Sequence, residues 1–139
     1  MSLCNLSGNR LASGSIDCTI RIWSGWEGSE ASFTCVNILR GHTGTVRDLL
    51  MLSDDVLVSG GDDETVRVWS VKREYCMDFI TTQSRVRRVT VLPVSQDVVE
   101  SSRDTSSSSS GAEGDVLAWT VVCGCSDRSA VFIDISFSL

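Results

Sequence analysis

The sequence predicts an all-β chain made by repeating small antiparallel sheets, and three observations carry that expectation. The first is repetition: "SGSIDCTIRIW" at residues 13 to 23 returns 46 residues later as "SGGDDETVRVW" at 59 to 69. Ser13/Ser59, Gly14/Gly60, Asp17/Asp63, Thr19/Thr65, Arg21/Arg67 and Trp23/Trp69 fall in register. A worn third copy, "CGCSDRSAVFI" at 123 to 133, keeps Gly124 and Asp127, has Ser129 for Thr, and sets Ile133 where the Trp belongs. A period in the forties points to a propeller or a solenoid. The second is the regular spacing of short apolar runs and Gly-rich turns without helical periodicity. The third is two-sided bulk: in "TVRVW" Val66 and Val68 share one strand face, and Thr65, Arg67 and Trp69 share the other. A sheet with a solvated face would not put Trp there, so both faces are expected to be covered by neighbouring sheets.

In chain order the pattern gives strands near 10–13, 19–23, 33–39, 45–52, 56–59, 65–70, 75–80, 86–92, 116–123 and 129–135. "DVLVS" is the expected partner of "TVRVW". Between them "GGDDE" is expected to make the hairpin, with Gly60 and Gly61 free to take positive φ and the Asp side chains accepting turn hydrogen bonds. Residues 95 to 114, "SQDVVESSRDTSSSSSGAEG", carry little to bury and read as a Ser-rich disordered insertion. "VRRVTVL" follows "VRDLLML" by 40 residues, whereas the third hairpin follows the second by 64, so about 24 residues interrupt a repeat. The expected organisation is repeat blades over 1–94, the insertion over 95–114, and the rest of a degenerate third blade over 115–139.

Composition narrows the function. The chain has 139 residues, 42% of them hydrophobic, enough for one globular unit or a piece of a larger one. A net charge of −6 argues against general attraction to nucleic-acid phosphate. "MSLCNLSGNR" has no apolar core of a secretory signal, and the longest apolar run, "VLAWTVVCGC", is about half a membrane-spanning helix, so an intracellular protein of cytoplasm or nucleus is expected. The six cysteines are then expected to be reduced. Cys123 and Cys125 have no second pair at metal-ligand spacing, so neither a metal nor another cofactor is expected.

The stretch from Gly41 to Trp69, "GHTGTVRDLLMLSDDVLVSGGDDETVRVW", resembles the WD-repeat family of β-propellers. The resemblance implies four-stranded antiparallel blades and a structural hydrogen-bonded set of His42, Ser59, Asp63 and Trp69, which would make the lone His of the chain scaffolding rather than a catalytic base. In the first repeat Ser13, Asp17 and Trp23 match, and its Gly-His and innermost strand are expected to lie before Met1. Both tryptophans precede Ser rather than the family's Asp. Thr81-Thr82 and Ile133 replace Gly-His and Trp in the third repeat, so its set is expected to be lost. In all, about two and a half blades of a longer ring are implied. The chain is therefore expected to be a fragment of a longer propeller or to self-associate to complete one, since repeat arrays need covered faces.

The resemblance also implies a protein–protein interaction scaffold, whose contacts come from residues after Gly-His and before the hairpin Asp: Thr45, Arg47 and Asp62. The aligned positions are Ile16 in the first repeat and Arg85, Arg87 and Ser126 in the third. Arg47, Arg85 and Arg87 would form a basic patch suited to acidic or phosphorylated motifs on partner proteins. Arg21 and Arg67, beside the tryptophans, read as packing stems with solvated heads. "WSVKR" partly matches a tail by which some members dock a ubiquitin ligase, with Lys72 fitting and Ser70 not, so a ligase receptor or adaptor is an alternative. A truncated gene product that does not fold is another. No phosphate-cradling loop, HExxH or elbow serine is present, and an enzyme is not expected.

Overall fold

The computed structural model describes residues 1–25, 32–92 and 116–138. The expected Ser-rich insertion at 95–114 lies outside these residues. Those described form strands and turns without a helix: β1 (Ser2–Leu6), β2 (Arg10–Gly14), β3 (Thr19–Gly25), β4 (Phe33–Arg40), β5 (Val46–Met51), β6 (Val56–Gly61), β7 (Thr65–Ser70), β8 (Tyr75–Thr81), β9 (Val86–Leu92), β10 (Val116–Cys125) and β11 (Ala130–Ser138). They build three antiparallel sheets, ordered β1-β2-β3-β4, β5-β6-β7-β8 and β11-β10-β9. The first two are four-stranded blades, and the third shows three strands among the described residues.

One expectation is corrected here. The first blade does not lack its innermost strand: β1 pairs along β2 from Ser2↔Gly14 to Leu6↔Arg10. Its signal is weak because it is short and its outward positions, Leu3 and Asn5, show no polar-apolar contrast with the inward Cys4 and Leu6.

The blades stack through two apolar layers, which confirms cover on both faces of the central sheet. Between the first and second lie Leu6, Ala12, Ile20, Ile22 and Leu39 against Val46, Leu49, Leu57 and Trp69. Between the second and third lie Val58, Val66 and Val68 against Val86, Val89, Val121, Cys123, Ile133 and Ile135. Trp69 is 1% exposed, and burial of that order makes a Trp→Ala change cost about 3–5 kcal/mol. Polar bonds tie the layers at their rims. The Val46 N–H donates to the Ser15 carbonyl at 3.0 Å, and the Val89 N–H donates to Asp48 Oδ2 at 3.0 Å.

The repeated glycines serve close approach rather than the expected left-handed turn. Gly60 and Gly61 lie within β6 and neither has a positive φ, which falls instead on Cys18 (67°), Glu64 (61°) and Arg128 (71°). These three occupy the same place in three equivalent hairpins, the left-handed residue that closes a three-residue loop. A Cβ on Gly60 would sit 2.4 Å from Val86 Cγ1, and one on Gly14 would sit 2.7 Å from Val46 Cγ1. Each glycine therefore admits the innermost strand of the next blade. All six cysteines are free thiols, and burial pushes Cys123 up to about 12.

Candidate functional site

The second blade assembles the set implied by its sequence. The Trp69 indole N–H donates to Ser59 Oγ at 2.8 Å, Ser59 Oγ lies 2.7 Å from His42 Nε2, and His42 Nδ1 lies 2.8 Å from Asp63 Oδ2. Proton accounting orders the chain. The serine oxygen takes the indole proton and gives its own to Nε2, which leaves the imidazole neutral with Nδ1–H donating to the carboxylate. The Thr43 N–H also donates to Asp63 Oδ2 at 2.9 Å, and Thr65 donates its N–H and hydroxyl to Oδ1 at 3.2 and 2.9 Å. Burial holds the His42 imidazole below its ordinary range, only partly offset by Asp63. Burial would raise Asp63, but the Thr43 N–H and His42 outweigh it and hold the carboxyl below the usual range. All four side chains are spent on one another, which leaves no group free to react.

The set thins in the other blades. In the first, the Trp23 indole donates to Ser13 Oγ at 2.8 Å, and Thr19 donates its N–H and hydroxyl to Asp17 Oδ1 at 3.0 and 2.6 Å. The Arg21 guanidinium occupies Asp17 Oδ2 at 3.2 Å, where His42 and Thr43 meet Asp63 in the second blade. The Thr19 hydroxyl, foremost, draws Asp17 down to about 2. In the third, Cys123 and Ile133 stand for Ser59 and Trp69 and are buried in the apolar layer, and Thr82 donates to the carbonyls of Glu64 and Ser84. Only the turn bond survives, from Ser129 to Asp127 Oδ1 at 2.6 Å.

The expected contact residues gather at one rim. The Asp62 N–H donates to the Thr45 carbonyl and the Ser126 N–H to the Arg85 carbonyl, each at 2.9 Å, so the two pairs are geometrically equivalent. Ile16, on the corresponding hairpin of the first blade, is 78% exposed. Arg47 is not a free cation: Nε donates to Asp62 Oδ2 at 2.9 Å and Nη2 donates to the same oxygen. That bond, with the nearby charges of Arg87 and Arg85, holds Asp62 below the usual carboxylate range. Arg85 and Arg87 are exposed and have no side-chain hydrogen bond or ion pair among the described residues. Asp62 Oδ1 is buried without a hydrogen-bond partner among the described residues.

Sequence reasoning missed four features. Asp62 neutralises Arg47, and a hydroxyl pair, Ser84 and Ser126 at 2.8 Å, flanks Arg85. At the opposite end of the second blade, Ser70 Oγ donates to the Asp55 carboxylate at 2.9 Å and accepts the Arg73 N–H, which explains why Ser can follow Trp69 there. Arg67, read as a packing stem, lies 4.9 Å over the Phe79 ring. None of these pairings joins residues close enough in sequence to show as a motif, apart from Ser70 and Arg73.

Comparison with known proteins agrees with this geometry. The family described as "WD domain, G-beta repeat" matches residues 2–24 and 33–70, which take in the first blade, without the residues between β3 and β4, and β5, β6 and β7 of the second. The chain is 47% identical over 66 residues, 47% of its length, to the nuclear distribution protein PAC1-2 of Uncinocarpus reesii. It is 31% identical over 110 residues, 64% of its length, to the WD repeat-containing protein pop1 of Schizosaccharomyces pombe. It covers 13% and 14% of those two proteins. With repeated blades, the buried His42–Ser59–Asp63–Trp69 set and these likenesses in agreement, the chain carries repeats of the WD-repeat family over residues 2–24 and 33–70.

Proposed function

We propose that the chain is a protein-interaction module, part of a longer propeller, whose contact surface is the rim carrying Ile16, Thr45, Arg47, Asp62, Arg85, Arg87 and Ser126. Its partners are other proteins that present an acidic or phosphorylated motif, met inside the cell, in cytoplasm or nucleus. The observation that carries this reading is the difference between three neighbouring arginines. Arg47 is already neutralised by Asp62, whereas Arg85 and Arg87 are exposed near that carboxyl and make no side-chain hydrogen bond or ion pair among the described residues. Guanidinium forks in that state suit carboxylate or phosphate groups. A catalytic reading has no comparable support, because the chain's one imidazole and the carboxylate beside it are buried in the structural set.

Affinity capture from lysate with the wild-type chain and with an Arg85→Glu/Arg87→Glu variant tests the proposal. Loss of at least one acidic or phosphorylated partner from the variant, with circular dichroism unchanged, is the expected result. Identical captures would exclude the two arginines as the contact.

A further inference from the structure

The second and third blades set a rim arginine in the same backbone frame. Val46 pairs with Gly61 and Asp48 with Gly60, so Arg47 is the extra residue of a bulge in β5. Val86 pairs with Cys125 and Arg88 with Gly124, which makes Arg87 the extra residue of the matching bulge in β9. The hairpin residue beside each bulge is tied in the same way: the Asp62 N–H donates to the Thr45 carbonyl and the Ser126 N–H to the Arg85 carbonyl, each at 2.9 Å. Ser126 therefore stands toward Arg87 as Asp62 stands toward Arg47.

What differs is charge. Asp62 Oδ2 accepts from Arg47 Nε at 2.9 Å and from Nη2 as well, so that guanidinium is spent. Ser126 carries a neutral hydroxyl instead, with its Oγ 2.8 Å from Ser84 Oγ. Arg85 and Arg87 are exposed and make no side-chain hydrogen bond or ion pair among the described residues. Ser126 is itself exposed, in the turn between β10 and β11. The next residue, Asp127, accepts the Ser129 N–H and hydroxyl through Oδ1, which spends that oxygen within the turn.

We propose that Ser126 is a phosphorylation site whose phosphate takes the fork of Arg87, with Arg85 beside it, as the Asp62 carboxylate takes that of Arg47, and so closes the third blade's part of the rim. A protein kinase transfers the γ-phosphoryl group of a nucleoside triphosphate: a P–O bond forms to Ser126 Oγ, the bond to the β-phosphate oxygen breaks, and the hydroxyl proton is released with the nucleoside diphosphate. Phosphoserine carries about −1.5 to −2 charges at neutral pH and three strong acceptor oxygens, enough for two guanidinium groups where the Asp62 oxygen serves one. The ion pair follows from the matching bulges alone. Its consequence for binding rests on the arginine rim proposed above.

Phosphopeptide mass spectrometry on the protein from its own cells, taken with phosphatase inhibitors, tests the site. Phosphate on Ser126 is expected; a Ser126 peptide found only unmodified, or phosphate on Ser84 alone, overturns the proposal. Urea unfolding of the 139-residue chain made with phosphoserine at 126 tests the ion pair. At low salt its unfolding constant is expected to lie about fivefold below that of the unmodified chain, and Arg87→Gln to erase the gain. Ser126→Asp, which supplies the charge without the bulk, replaces the phosphorylated chain if that one loses its β signal by circular dichroism. Equal stability with and without the charge, or a gain that survives Arg87→Gln, overturns the pairing. Anisotropy with a labelled polyglutamate peptide separates the pairing from the rim. Binding about tenfold weaker after phosphorylation is expected. Binding unchanged by the phosphate overturns the closure, and a chain that binds no such peptide in either state overturns the rim and the closure together, with the unfolding result still deciding the pair.

Discussion

His42 Nε2 and Ser59 Oγ meet at 2.7 Å, both buried, and this single contact joins the loop before β5 to strand β6 and, through the serine, to the Trp69 indole. Removing the hydroxyl leaves a buried imidazole nitrogen and a buried indole N–H without partners. Ser59→Ala is therefore expected to lower stability by about 1–3 kcal/mol. Ser13→Ala, which strands only the half-buried Trp23 indole, is expected to cost less. Paired urea melts followed by circular dichroism compare them, and equal losses would contradict the role given to His42.

The same contact sets a pH dependence. The folded imidazole is held below its ordinary value by burial, so between about pH 6.5 and its lower folded value the unfolded chain binds more protons. Its stabilisation is complete above the unfolded value and is lost as pH falls through that window. Asp63, held below its ordinary value of about 3.9, contributes stability above that value which is lost as pH falls through its folded one. Because the chain has one His, a loss of denaturation midpoint that sets in between pH 7 and 6, above the range in which carboxylates take up protons, is assigned to His42. The midpoint is expected to decline in that interval and again below pH 4, and His42→Gln to remove the first decline alone. A profile identical in the variant would refute the assignment.

Two glycines at equivalent positions are expected to respond with opposite sign. Gly60→Ala forces a methyl to 2.4 Å from Val86 Cγ1 on the next blade's inner strand and should cost about 1–3 kcal/mol. At Gly124 the added carbon would meet no atom of the described residues nearer than Arg88 Cβ at 3.9 Å. Gly124→Ala is expected to raise stability by about 0.5 kcal/mol, by restricting the unfolded chain. Thermal melts of both variants decide it, and destabilisation by both would mean that Gly124 has a backbone role of its own.

The blades were readable because they carry local signals: a hairpin Asp that accepts from the Thr or Ser two residues on and alternation along the third strand in all three, and in the first two a Trp at fixed distance from its Ser. Position 60 shows the limit of such reading. A glycine beside a turn suggests positive φ, yet the demand on Gly60 comes from Val86, 26 residues further on, and no local pattern records it. The first inner strand shows another. Leu3 is apolar although it is 71% exposed, so the inside-outside contrast that marks a strand is missing there. The Arg47–Asp62 pair is a third case, since two residues 15 positions apart become neighbours only when β5 pairs with β6.

That pair yields the last prediction. Asp62 accepts both the Nε and Nη2 bonds of Arg47 through one oxygen, and Arg85 and Arg87 lie close enough for their charges to act on its carboxyl. Asp62 therefore holds Arg47 directly and sits within the field of two further arginines, and Arg47 cannot offer its fork to a partner while it is held. Asp62→Ala frees Arg47 and removes the like charge that would repel an acidic ligand. If the rim binds acidic or phosphorylated motifs, the variant should bind such a peptide about tenfold tighter, equivalent to about 1.4 kcal/mol, with the gain shrinking as salt rises. Fluorescence anisotropy with a labelled phosphopeptide at low and high salt measures this. Weaker binding in the variant would mean that Asp62 itself meets the partner and that the rim recognises a basic group instead.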